Sequence, residues 1–78
     1  MKLNLESFIH LFAEELSLRE AEISPSTYFR EIPIWGSLNA LLLISRINEE
    51  FGVLISSSDL ANCLIIRDIY NLINEKEL

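Results

Sequence analysis

The chain has 78 residues, six basic against twelve acidic side chains, a net charge of −6, and half of its residues are hydrophobic. That length allows one small domain, residues 1–78, which buries only about 60% of the surface its unfolded form exposes; a barrel, a doubly wound sheet and a large enclosed active site are excluded. Six basic residues scattered along the chain argue against nucleic acid and anionic membrane surfaces, which need clustered Lys and Arg, and leave basic proteins as partners.

Helical periodicity governs most of the chain. Leu5, Phe8, Ile9, Phe12 and Leu16 form one apolar stripe, with Glu6, His10 and Glu14 opposite, so a helix is predicted at about residues 4–17 with Asn4 as its N-cap. Residues 17–36 hold both prolines and no sustained period. Ser17-Leu18-Arg19-Glu20 has the form of a capping box, from which a short helical turn would start, and Pro33 biases Ile32 away from helix. Tyr28, Phe29, Ile32, Ile34 and Trp35 are too apolar for a disordered segment, and they are expected to fold back and pin the loop.

A second stripe, Ala40, Leu43, Ile44, Ile47 and Phe51, predicts a helix that Gly52 stops. Ser56-Ser57-Ser58-Asp59 again has capping-box form and opens a short helix to about Asn62. Ile66, Ile69, Tyr70 and Ile73 mark the last helix. No segment has hairpin chemistry. The expected architecture is all-α: a four-helix bundle, three main helices plus one short one, with a long ordered first loop.

Chemistry-bearing residues are few. Cys63 is the only cysteine and His10 the only histidine, so neither an internal disulfide nor a metal-ligand cluster is expected. Cys63 reads as a small buried hydrophobe and His10 as a solvated surface residue. The N-terminus meets Lys2 and Glu6 before any apolar run develops, and the longest such run, residues 40–44, is too short to span a bilayer. A soluble, cytoplasmic protein is expected. Two glycines, Gly36 and Gly52, make no phosphate-cradling loop, and no nucleophile elbow is present, so no catalytic residue is assigned.

Ser37 is the exception worth following. It ends an aromatic-rich loop and opens the most apolar helix. Periodicity alone reads it as an ordinary first-turn residue, yet a helix N-terminus, with unpaired amides and the positive end of the dipole, also suits a covalently held phosphate. The run Trp35-Gly36-Ser37-Leu38, followed by Leu43-Ile44, Ile47, Glu49-Glu50-Phe51-Gly52-Val53 and Ile66-Arg67-Asp68-Ile69, resembles the acyl carrier protein family. The likeness covers nearly the whole chain. It implies a four-helix bundle in which Ser37 carries 4′-phosphopantetheine, transferred from coenzyme A by a Mg²⁺-dependent phosphopantetheinyl transferase. The thiol of that arm would carry acyl groups as thioesters in fatty-acid, specialised lipid or polyketide biosynthesis. Implied partners are that transferase and acyl-loading and acyl-processing enzymes such as a ketosynthase, an acyltransferase or an adenylating enzyme.

Three departures from the family pattern stand out. Gly36 replaces the usual Asp before the serine. Asn39, Leu42 and Asn48 stand where carboxylates are common, leaving Glu49 and Glu50 opposed by Arg46. Docking would then rest on Leu38, Leu41 and Leu42 together with Glu49 and Glu50, unless the core wraps further round this helix. Finally, Ile65 occupies a position where Thr caps the last helix, a loss worth roughly 1 kcal/mol. In the family the bundle also parts to shelter an acyl chain; Leu43, Ile47, Phe51 and Ile66 are candidates for that lining, and a plain core accounts for them equally. Two other functional readings stay open: an unmodified helical interaction module and a carrier of peptidyl or aminoacyl groups.

Overall fold

Asn4 opens the first helix as half of a reciprocal cap: its side chain accepts from the Ser7 amide at 2.8 Å, and the Ser7 hydroxyl accepts from the Asn4 amide at 3.2 Å. In the computed structural model, which describes residues 2–77, four α-helices follow: α1 (Leu5–Glu15), α2 (Ser37–Phe51), α3 (Ser57–Ala61) and α4 (Ile66–Glu77). Two 3₁₀ turns, Glu20–Glu22 and Phe29–Glu31, lie in the long first connection. Among the described residues there is no strand, only an isolated bridge between Tyr28 and Ile65. The all-α bundle expected from periodicity is the fold, and no helix among these residues is long and apolar enough to cross a membrane.

The stripes meet as expected. α1 packs on α2 and α4, and α3 packs on α2. Phe8, Phe12, Leu43, Ile47, Ile66 and Ile69 are fully excluded from solvent at the centre. Each such side chain contributes about 1.5–3 kcal/mol of burial. Across the α1–α2 contact, Arg46 donates to Glu14, Glu15 and Glu50, a cross-helix charge cluster that periodicity does not reveal.

Two helix ends differ from expectation. Ser17 does not cap a following turn; it terminates α1 in the left-handed region, φ 56°. Its amide donates to the Glu14 carbonyl at 3.2 Å and that of Leu18 to the Ala13 carbonyl at 2.8 Å. This is a Schellman closure with serine in the place glycine usually takes. The short turn begins only at Glu20, where Glu22 accepts from the Arg19 amide at 3.0 Å. The second difference is at α4, which is not short of a cap. Asp68, one turn inside, reaches back so that its Oδ2 accepts from the amides of Leu64 at 2.9 Å and Ile65 at 3.1 Å. The next two amides, Ile66 and Arg67, donate to the carbonyls of Thr27 and Pro25 at 3.1 and 2.9 Å. The first loop thus closes the start of α4 with its own backbone.

That loop is ordered, as its composition requires, but not every large side chain turns inward. Phe29 is fully buried and Ile32 and Trp35 pack against the core, whereas Tyr28 and Ile34 are 55% and 53% exposed. Tyr28 and Phe29 are consecutive, and Phe29 takes the inward position. Pro33 and Ile34 form the corner of a turn closed by the Trp35 amide on the Ile32 carbonyl at 2.9 Å, so both point outward.

Candidate functional site

The placement of Ser37 starts with Trp35. Its indole lies parallel to the Phe12 ring, 6.2 Å between centroids and 3° between planes, and meets Phe29 edge-on at 4.9 Å. These contacts fix the chain two residues before the serine to the centre of α1. Gly36 then serves as the N-cap of α2 in an extended conformation, φ −165°, and Ser37 is the first helical residue.

At this end α2 is open. Among the described residues no side chain caps it, and its first turn holds no acid. The first in-helix bond is donated by Ala40 to the Gly36 carbonyl at 3.0 Å. The amides of residues 37–39 therefore precede the hydrogen-bond ladder, in contrast to the closed start of α4. Ser37 is exposed, and its hydroxyl has no hydrogen-bond partner among the described residues. Nothing about Gly36 demands glycine: its backbone is extended, and an added Cβ would meet only Asn39 Oδ1, at 3.8 Å.

An open groove of about 350 Å³ runs beside Ser37. Arg30, Trp35, Ser37, Ala40, Leu60 and Ala61 are among the residues that line it; among the described residues, none lining it is acidic. Arg30 donates through Nη2 to the Leu60 carbonyl at 2.9 Å and through Nη1 to the Cys63 carbonyl, with its guanidinium carbon 4.7 Å above the Phe29 ring. Sequence reasoning missed this residue. Its partners lie 30 and 33 positions away, so no local pattern announces them.

The other candidate residues fall into place around this. Leu38, Leu41 and Leu42 are 68%, 61% and 44% exposed, so the core does not wrap that far round α2. Leu43, Ile47 and Ile66 are fully buried and Phe51 is half-buried, within one continuous core. Glu49 is exposed, whereas Glu50 lies 3.3 Å from Arg46 Nε. Cys63 is buried, and that burial, reinforced by the nearby Asp68 charge, pushes its thiol up from the ordinary value, away from thiolate chemistry. His10 is exposed and faces carboxylates, with Nδ1 3.0 Å from Glu20 and Nε2 3.7 Å from Glu14.

An exposed primary hydroxyl at the positive end of a helix, with no base bonded to it, is poorly built for attack on its own and well placed to be modified by an external enzyme. Comparison with known proteins identifies the family. The family model described as the phosphopantetheine attachment site matches residues 6–73. An acyl carrier protein of Thermosynechococcus vestitus is 31% identical over 72 residues, covering 92% of this chain and 89% of that protein. The non-reducing polyketide synthase VdtA of Byssochlamys spectabilis is 38% identical over 64 residues, which is 82% of this chain but only 3% of that synthase. Fold, open helix start and family match converge: the chain belongs to the acyl carrier protein family, whose cofactor is covalently attached 4′-phosphopantetheine.

Proposed function

We propose that Ser37 is the residue that takes the arm and that the chain carries acyl intermediates of a fatty-acid, specialised lipid or polyketide pathway, as a cytoplasmic monomer. The observation that carries this reading is the Ser37 hydroxyl, exposed and, among the described residues, unpartnered at the first position of an uncapped helix. The arm, when attached, supplies a terminal thiol for thioester linkage. The remaining work belongs to the chain's own residues. Trp35 holds the attachment point against α1, the dipole of α2 favours negative charge at Ser37, and among the described residues no base is bonded to the hydroxyl to compete with a transferase for its proton.

Selection among partners falls to the outward face of α2. Residues 37–51 hold a net charge of only −1, and Glu50 is engaged by Arg46. Leu38, Leu41 and Leu42 therefore supply most of the docking contact, with Glu49 at its edge. Global acidity keeps the carrier soluble and steers it weakly. The polyketide synthase relative supports a polyketide-type cargo, and the acyl carrier protein relative supports the carrier role itself.

Intact mass after incubation with coenzyme A, Mg²⁺ and a broad-specificity phosphopantetheinyl transferase tests the site. A single adduct on the wild type, absent from Ser37→Ala, is expected. An adduct that survives Ser37→Ala moves the site elsewhere, and no adduct on the wild type leaves an unmodified interaction module. Presenting the loaded protein to acyl-transferring and to amino-acid-adenylating enzymes then separates acyl cargo from aminoacyl cargo.

A further inference from the structure

We propose that Arg30 binds the phosphodiester that joins the arm to the protein, and so holds the base of the arm in the groove beside Ser37. This rests on Ser37 being the attachment residue. Arg30 and Ser37 line the same groove, and among the described residues no acid lines it and no carboxylate pairs with Arg30. The guanidinium is nevertheless fixed. Two of its five N–H groups are bound by the Leu60 and Cys63 carbonyls, and its plane is held near the Phe29 ring.

Those partners are neutral, so they orient the charge without cancelling it. Three N–H groups remain for an anion, and little side-chain entropy is left to lose when one binds. A phosphodiester on Ser37 is the anion that the attachment chemistry brings to this groove. Gly36 sharpens the case: with no carboxylate before the serine and none in the first turn of α2, nothing on that side competes for Arg30. Leu60 and Ala61 face the same groove and present apolar surface beside the phosphate position.

The test uses ¹⁵N-labelled full-length protein before and after loading, with complete loading at Ser37 verified by intact mass. Arg30 Nε–Hε is identified by its disappearance in Arg30→Lys. Loading is expected to shift that resonance more than the Arg46 Nε–Hε resonance in the same spectrum. The shift is expected to revert toward its unloaded position as NaCl is raised to about 1 M, where the Debye length is about 3 Å. The ³¹P resonance of the loaded wild type is expected to lose its salt response in Arg30→Gln and retain part of it in Arg30→Lys. A residue that only staples α3 gives no salt-reversible response. Full loading at Ser37 with an Arg30 signal that neither shifts nor answers to salt overturns the proposal while leaving the attachment site intact. Absence of any adduct at Ser37 overturns both.

Discussion

The guanidinium of Arg46 on α2 donates through Nη1 to Glu15 on α1 at 3.2 Å, and both side chains are mostly withdrawn from solvent, 22% and 17% exposed. The same guanidinium also meets Glu14 and, through Nε at 3.3 Å, Glu50, so one cation satisfies three carboxylates where the two helices touch. Arg46 is correspondingly held charged well beyond its ordinary range, chiefly by the hydrogen bond to Glu14. Arg46→Met keeps the aliphatic packing but leaves like charges facing one another. It is expected to destabilise the bundle by about 1–2 kcal/mol. Thermal melts at low and high salt check this: the deficit should shrink as salt screens the uncompensated carboxylates.

Asp68 is the cap of α4, although it lies inside the helix. Asp68→Ala frees the Leu64 and Ile65 amides and is expected to cost about 1 kcal/mol. Hydrogen bonds from those two amides hold the Asp68 carboxyl below its ordinary 3.8. Its contribution is therefore complete above that value and is lost as pH falls through the lower folded one. Urea melts of both proteins from pH 7 to pH 2 should converge at the acid end; a gap unchanged at pH 2 removes Asp68 as the cap.

The contrast between these two clusters shows what the sequence discloses. Helix positions, the Ser56–Asp59 cap and the Gly52 stop depend on residues within a turn of one another, so spacing reveals them. Asp68 lies three residues after Ile65, the spacing of a capping box, but with no Ser or Thr to begin the pattern the spacing does not announce it. Glu14 and Glu15 against Arg46, and Arg30 against the end of α3, are set by contacts more than 29 residues apart. No local period encodes those. Ser37 stands out in the sequence only because the surrounding motif resembles a family; its open helix start and the groove beside it are set by the fold.

His10 joins α1 to the first loop through Glu20. That hydrogen bond, with the Glu20 and Glu14 charges acting in the same direction and Arg46 against them, raises His10 above its ordinary 6.5. A raised value means the interaction stabilises the fold fully below 6.5 and fades as pH rises through the higher folded value. Following the imidazole proton resonances against pH, Glu20→Gln should bring the midpoint down toward 6.5. An unchanged midpoint would show that Glu20 is not its partner in solution.

The leucines of α2 divide by face. Leu41→Arg replaces a side chain 61% exposed and should leave stability within about 0.5 kcal/mol. If Leu41 docks partners, kcat/KM of a loading enzyme should fall about tenfold, or 1.4 kcal/mol, with most of the change in KM. Leu43→Ala, two positions on and fully buried, should do the reverse, costing about 2–5 kcal/mol in stability. Equal losses of stability in both variants would place Leu41 in the core.

Two helix ends use the left-handed backbone with opposite residue choices: Gly52 closes α2 at φ 69° and Ser17 closes α1 at φ 56°. At Gly52 an added Cβ meets nothing within 4 Å, so any penalty comes from the backbone conformation alone. Gly52→Ala is expected to destabilise by about 1 kcal/mol, and Gly52→Asn by less, because Asn tolerates this region. At Ser17 the argument inverts. Serine already bears the strain, and Ser17→Gly removes it while adding freedom to the unfolded chain. The strain is the larger of the two effects, so a net gain of about 0.5 kcal/mol is expected. Chemical denaturation of both variants decides it: if Ser17→Gly loses stability, the serine side chain contributes something at the end of α1 that outweighs the backbone strain it bears.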